Sequence, residues 1–408
     1  ELEAGAVPVG AAYAQAKLEG RPLNYGYSVS WAAARIEVLT GHRGDGRATT
    51  MLSRFPDPGW QREATAAEED RILGLLEDEL AAGGLGIGVL IGYAPGTSPA
   101  EYLRVARLAA TTGVPTYTHV RDLVDFAPNA RMDGAEELVR AASETGAHMH
   151  YCHVNSTSLR HVDRVLGLVD RVRRAGSVVT AEAYPYGAGS TAVGAAFLSP
   201  ERLPERGLSP TDLVYAPRNE RVRDVEHLRQ LRATDPGGLC IVHFLDEKNP
   251  ADAAVMRASL IHEDTMVASD AMPLTWMGPA ADRTWPLPPT ALTHPRTAGT
   301  FARSYQRVVV QGGASLAGFI RRASALPAAV LGAAAGGAVR KGTLTVGADA
   351  AAATTTRARD NIMASPPCVR LRTGGPGYCV TAREPCRHDN VAHQGGTGRP
   401  ARRPGCTP

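Results

Sequence analysis

Strand-like and helix-like segments alternate along the sequence from its start to about Asp349, and this alternation restricts the fold more than any other feature. The candidate strands are LNYGYSVS, GLGIGVLIGY, VPTYTHV, AHMHYCHV, VVTAEAYPY, GLCIVHF and TMVASD. Between them lie candidate helices that include AAEEDRILGLLEDELAAG, SPAEYLRVARLAATTG, GAEELVRAASETG and SLRHVDRVLGLVDRVRRAG. Repeating units of roughly thirty residues favour an α/β fold, with a parallel sheet covered by helices. SPAEYLRVARLAATTG has its own start and stop signals: a Ser to cap it, Pro at the first helical position and Gly at the end. Tyr102, Val105, Leu108 and Ala109 recur in it at helical spacing, which predicts one buried stripe.

Three of the strand-like segments end in residues suited to one kind of chemistry. VPTYTHVRD carries His119, AHMHYCHVNSTS carries His153, and TMVASDAMP carries Asp270. In a barrel of parallel strands the C-terminal strand ends converge on one rim, so residues distant in sequence share a site. Two neutral imidazoles can hold a divalent ion there, and a carboxylate can move the proton of a water activated by it. His119 and His153 are 34 residues apart, about one repeating unit. His243 in GLCIVHF is a further strand histidine and an alternative ligand, although its strand could belong to an insertion. Any single histidine is more often a hydrogen-bonded core residue than a ligand, so only the set points to a metal site. With a strict period of two, Met149, Tyr151 and His153 share one face, and His148 and His150 share the other. If His153 points into the barrel, His148 and His150 are expected to point toward the helices.

Composition narrows the function classes. The chain has 408 residues and a net charge of +3. Nine arginines and three acids fall from Ala350 onward, so of 44 basic and 41 acidic residues the body holds 35 and 38, a net of −3. A mildly acidic body gives no support for nucleic-acid binding. No apolar run is long enough to span a bilayer, and no basic-then-apolar leader opens the chain. The expectation is a cytoplasmic protein with no membrane partner. Cys152 and Cys240 lie in apolar strand-like contexts, while Cys368, Cys379, Cys386 and Cys406 crowd the end without a CxxC pair.

Both ends look altered. Glu1 opens inside an ordered-looking pattern without an initiator methionine, and truncation is the expectation there. After Asp349, Pro-Pro, Gly-Gly-Pro-Gly and Arg-rich stretches replace the periodic apolar positions, a composition unable to fill a core. Residues 350–408 are therefore expected to form a disordered or frame-shifted tail.

TYTHVRD, HYCHVNSTSLR, TAEAYPYGAGST, VASDAMP and THPRTAGTFARSYQRVV, followed by ALPAAVLG and GAVRKGTLTVGADA, together resemble the N-acyl-D-amino-acid deacylases of the amidohydrolase superfamily. ELEAG, PVGAAYA and NYGYSVSW look more like the D-glutamate deacylase branch than the Cys-containing D-aminoacylase branch. The resemblance implies an incomplete (β/α)8 TIM-type barrel over residues 1–335 with an insertion around 190–240. Residues 336–349 would lead to a small β-sandwich of which only a remnant is left. It also implies a zinc enzyme with one or two ions, hydrolysing the linear amide of a small-molecule N-acyl-D-amino acid, with N-acyl-D-glutamate a candidate. His119 and His153 would be metal ligands, Asp270 the general base that becomes a general acid, and Tyr184, Ser190 and Arg296 the holders of the substrate carboxylate. The family's His-x-His pair of the first strand is missing, and a carboxylate from Glu1 or Glu3, preferably Glu3, would stand at the second-strand position. Two alternatives remain open at this stage: a cyclic-amide hydrolase similar to dihydroorotases and hydantoinases, and a catalytically silent barrel.

Overall fold

The computed structural model describes residues 2–21, 24–128, 130, 132–276, 290–335 and 341–342. Besides a short antiparallel pair, Thr275–Trp276 with Ala291–Leu292, its strands are, in chain order, β1 (Val29–Ser30), β2 (Ile87–Val89), β3 (Thr116–Thr118), β4 (Met149–Tyr151), β5 (Val179–Ala183), β6 (Ala188–Ala192), β7 (Leu213–Tyr215), β8 (Glu220–Arg221), β9 (Leu239–His243) and β10 (Thr265–Val267). Six of them form one parallel sheet in the order β1-β2-β3-β4-β5-β10. The first five follow one another in sequence with helices between them, as expected of repeated β-then-α units. The other four form an antiparallel sheet, β6-β9-β7-β8, so the strand carrying His243 lies outside the parallel sheet. No described helix is long and apolar enough to cross a membrane. The expected tail over 350–408 and nearly all of the expected sandwich remnant over 336–349 lie outside the described residues.

Local chemistry explains where the helices begin. Helix Pro99–Thr112 is capped by Ser98, whose Oγ accepts from the Glu101 amide at 3.0 Å, and it ends at Gly113 in the left-handed region (φ 72°). Helix Ala66–Ala81 starts with a capping box between Thr65 and Glu68. Helix Gly134–Thr145 starts on the Asp133 carboxylate, which accepts from the amides of Ala135 and Glu136. Tyr102, Val105, Ala106 and Ala109 are buried on the inner face of Pro99–Thr112, close to the stripe predicted from spacing.

One buried ion pair ties the first helical layer together. Arg35 pairs with Glu101, and both are almost fully buried. Arg35 Nε also donates to Trp60 O at 2.7 Å, and Trp31 Nε1 donates to Glu101 at 3.0 Å. Burial alone would strongly disfavour the carboxylate and pushes the Glu101 pKa up; the guanidinium works against that shift.

The two faces of the parallel sheet differ in what they bury. Met149, Tyr151, Val179, Ala181 and Ala183 belong to the main core with helix residues such as Leu138 and Val165. Tyr117, Cys152 and Met266 form a separate cluster with Val330, on the face turned away from that core. This corrects the facing inferred for β4. His150 contacts Tyr117 (ring centroids 5.8 Å) and Glu182, so it looks toward the inner side, while Met149 and Tyr151 pack under the helices. The alternation fails after Cys152, because His153 adopts a left-handed backbone (φ 35°, ψ 57°) that turns the chain at the strand end.

Candidate metal centre and substrate cavity

Glu3 reaches the sheet through an N-terminal segment that lies very close to the first two strands. Ala6 makes a parallel bridge with Val29, and Ser28 Oγ donates to Leu2 O. The approach demands glycine on both sides of the contact. A Cβ on Gly88 of β2 would sit 2.4 Å from the carbonyl oxygens of Leu2 and Glu3, and one on Gly5 (φ 63°) would sit 2.7 Å from Ser30 N. A third close contact sets the height of His119: a Cβ on Gly92 would lie 2.7 Å from its Cδ2.

The parallel sheet brings the three candidate ligands together. His119 follows β3, His153 follows β4, and their rings meet edge-on with centroids 4.8 Å apart. Glu3 bridges them, with Oε1 3.3 Å from His119 Nδ1 and Oε2 in close contact with His153 Nε2. One donor atom from each residue falls within 4.8 Å of the other two. Ser156 Oγ lies 2.9 Å from His153 Nδ1 and fixes the ring's orientation. Tyr93 (ring centroids 4.7 Å) and Phe197 (5.8 Å, nearly parallel) pack against the His119 ring and against each other (5.0 Å).

Electrostatics here follow from an anion held between two rings. Burial opposes the Glu3 carboxylate, but His153 and then His119 outweigh it and hold its pKa far below the usual range. Burial also opposes a charge on His153; Glu3 and then Asp270 reverse this and raise that imidazole above its ordinary value. His119 goes the other way, because burial dominates and favours its neutral form. Its Nε2 is buried with no hydrogen-bond partner, an unusual state for a ring nitrogen in a polar cluster. Two imidazole nitrogens and a carboxylate, with room for a fourth ligand on the cavity side, fit a catalytic-type divalent cation.

Asp270, Arg296, Tyr184 and Ser190 line the same cavity as the three ligands. Asp270 stands three residues past β10 with a left-handed backbone (φ 45°). Arg296, at the start of helix Arg296–Tyr305, pairs with it at 2.7 Å and donates to Ser190 O at 3.1 Å. Its guanidinium also sits 4.6 Å above the Tyr184 ring, a cation–π contact. Burial pushes the Tyr184 phenol up to about 12, so it stays protonated and able to donate. The candidate residues Glu3, His119, His153, Tyr184, Ser190, Asp270 and Arg296 therefore meet around one opening, while Glu1 lies outside the described residues. His243, by contrast, contributes nothing to this cavity's lining.

Sequence reasoning missed a second cation here. Arg206 lines the cavity, stacks 4.4 Å over Phe197 and pairs with Asp122, which Arg202 also contacts. Burial opposes the Asp122 carboxylate, but Arg206 and Arg202 outweigh it and lower its pKa. Arg206 Nε is buried without a hydrogen-bond partner. Asp122 stands in THVRD three residues after His119, whereas nothing in the local sequence singles out Arg206.

No family model matches the chain. Over 330 residues it is 27% identical to the N-acyl-D-glutamate deacylase of Alcaligenes xylosoxydans xylosoxydans, covering 77% of this chain and 58% of that protein. The chain thus spans little more than half the length of that curated relative. Among solved structures it resembles the N-acyl-D-glutamate deacylase from Bordetella bronchiseptica, a complex with zinc and a phosphonate inhibitor that mimics the reaction's tetrahedral intermediate. The TM-score is 0.52 at 20% identity, over 78% of this chain and 67% of that one. It also resembles D-aminoacylase, described as defining a novel subset of amidohydrolases, with a TM-score of 0.51 at 22% identity over 76% and 66% of the two chains. The chain is a homologue of N-acyl-D-glutamate deacylase and carries the α/β fold of the D-aminoacylase amidohydrolases.

Proposed function

We propose that this chain carries the site of a zinc-dependent hydrolase that cuts the linear amide of N-acyl-D-amino acids, with N-acyl-D-glutamate the substrate class that suits it best. One observation carries the proposal: the donor atoms of Glu3, His119 and His153 converge to within 4.8 Å and open on the same cavity as Asp270 and Arg296. A divalent cation held by the three would supply Lewis-acid polarisation and a water acidic enough to ionise near neutral pH.

The remaining work falls to side chains. Asp270 takes the proton from the attacking water and returns it to the departing nitrogen. Arg296, Tyr184 and Ser190 receive the substrate's α-carboxylate. Arg296 already pairs with Asp270, so an entering carboxylate competes for the guanidinium, and Asp270 becomes a stronger base as that contact weakens. Substrate arrival and base activation are coupled in this way. Arg206 supplies a second positive group and favours a substrate with two carboxylates. The phenyl face of Phe197 and the ring of Tyr93 exclude water from the back of His119.

The test uses the full chain loaded with zinc, assayed with N-acetyl-D-glutamate, N-acetyl-L-glutamate and dihydroorotate. Turnover of the D-acid in preference to the others is expected. Ring opening of dihydroorotate without cleavage of the acyl amino acid would replace this reading with the cyclic-amide one. Failure to hold zinc would leave a silent barrel.

A further inference from the structure

The inner face of the parallel sheet holds a second group of metal-binding side chains. Barrel interiors are filled mainly by branched apolar residues. Here His150 of β4, Cys152 just past it and Glu182 of β5 project there together, on neighbouring strands whose register pairs Tyr151 with Ala181. They line a cavity of about 410 Å³, bounded on its far side by Val330 and Leu331 of helix Leu326–Ala334. His150 and Cys152 are almost fully buried, and Glu182 is half-buried.

The hydrogen bonds define which atoms are available. His150 Nδ1 lies 2.8 Å from Thr180 Oγ1, which also receives His148 Nε2 at 2.9 Å. With Nδ1 bonded to Thr180, Nε2 is the ring nitrogen that His150 turns to Glu182 Oε2, at 3.1 Å. A proton on Nε2 bridges the two atoms at that separation, and a cation can take its place. The Cys152 sulfur completes the group, with one donor atom from each of the three residues within 4.8 Å of the other two. Thr180 plays the part of an outer partner that holds the ring's orientation.

We infer that His150, Cys152 and Glu182 form a thiolate-containing site for a soft or borderline divalent cation of the zinc, cadmium and cobalt class, distinct from the Glu3–His119–His153 centre. Sulfur and imidazole donors select this class over magnesium or calcium. On binding, the thiol proton passes to solvent and the sulfur lone pair to the cation, with no change in oxidation state. The ion clamps β4 to β5 directly below the strand end that presents His153. This site is independent of the hydrolytic reading and stands even if no amide is cut.

The two centres are separable by spectroscopy, because the Glu3 centre has no sulfur. The full chain, stripped with a chelator, is titrated with cobalt(II) and with cadmium. A sulfur-to-metal charge-transfer band that saturates at one equivalent is expected. In a chain whose Cys368, Cys379, Cys386 and Cys406 are replaced by Ser, it should persist, vanish on adding Cys152→Ser, persist on adding Cys240→Ser or the pair Glu3→Gln with His119→Ala, and require at least tenfold more metal with Glu182→Gln. A band that survives Cys152→Ser in that background, or none in the native chain under excess metal, overturns the site. Cys152→Ser changes one atom, and circular dichroism matching the native chain secures its folding; if it fails to fold, the affinity loss in Glu182→Gln decides.

Discussion

Replacing Arg206 by methionine isolates its contribution to substrate choice. Methionine keeps an apolar stem against Phe197, whose ring now lies 4.4 Å from the guanidinium. Asp122 is not stranded by the change, because Arg202 still contacts it. The native guanidinium commits Nη2 to Asp122 and leaves Nε buried without a partner, so one or two donors are available to an incoming carboxylate. A hydrogen bond between charged groups contributes about 1.5–3 kcal/mol. The expected loss in kcat/KM for N-acetyl-D-glutamate is therefore about 10- to 150-fold, at about 1.4 kcal/mol per decade. For N-acetyl-D-leucine, which lacks the second carboxylate, the value should be unchanged within a factor of about two. Parallel steady-state assays on zinc-loaded native and variant protein read both numbers. Equal losses on the two substrates would show that Arg206 supports the cavity rather than reading the side chain, and no loss on either would remove it from recognition.

Asp270→Asn should abolish hydrolysis while the chain retains its zinc, measured by metal analysis beside turnover; undiminished rates would exclude Asp270 as the proton carrier. Glu3→Gln removes the only anionic ligand of the three and should lower zinc affinity at least tenfold in competition with a chromophoric chelator, consistent with the 10- to 100-fold losses typical of weakened metal shells. Arg35→Met leaves Glu101 buried without its countercharge and should destabilise the chain by about 3–5 kcal/mol in urea unfolding, whereas the double variant Arg35→Met with Glu101→Leu should recover most of the loss. The folded pKa of Asp122 lies below its unfolded value, so its contribution is fully present above roughly pH 4 and disappears as pH falls through the lowered folded value. Asp122→Asn should accordingly be less stable at neutral pH and show a shallower decline of stability on the acid side.

Much of the frame was legible because periodicity and caps are local signals. All seven candidate strands contain a strand of the structure, and the four named helical segments contain Ala66–Ala81, Pro99–Thr112, Gly134–Thr145 and Val162–Arg174. Strand ends in a parallel sheet share a rim, so His119, His153 and Asp270 could be grouped across more than a hundred residues. His150 faces opposite to the period-two expectation for a definite reason: strict alternation ends at Cys152, and at His153 the backbone leaves the extended region. Asp270 breaks alternation in the same way. The Arg206–Asp122–Phe197 assembly joins segments about eighty residues apart through side chains alone, and no local pattern encodes such a meeting.

The left-handed corners at His153 and Asp270 carry a lasting consequence. Residues with a Cβ adopt that backbone at a cost of about 1–2 kcal/mol, and glycine would adopt it freely. Two corners of the rim are thus held by residues poorly suited to the bend they occupy, with the surrounding packing supplying the difference. A sequence optimised for folding alone would place glycine at both positions. Imidazole and carboxylate stand there instead, so the architecture accepts a less comfortable chain path in return for aiming two reactive groups into one opening.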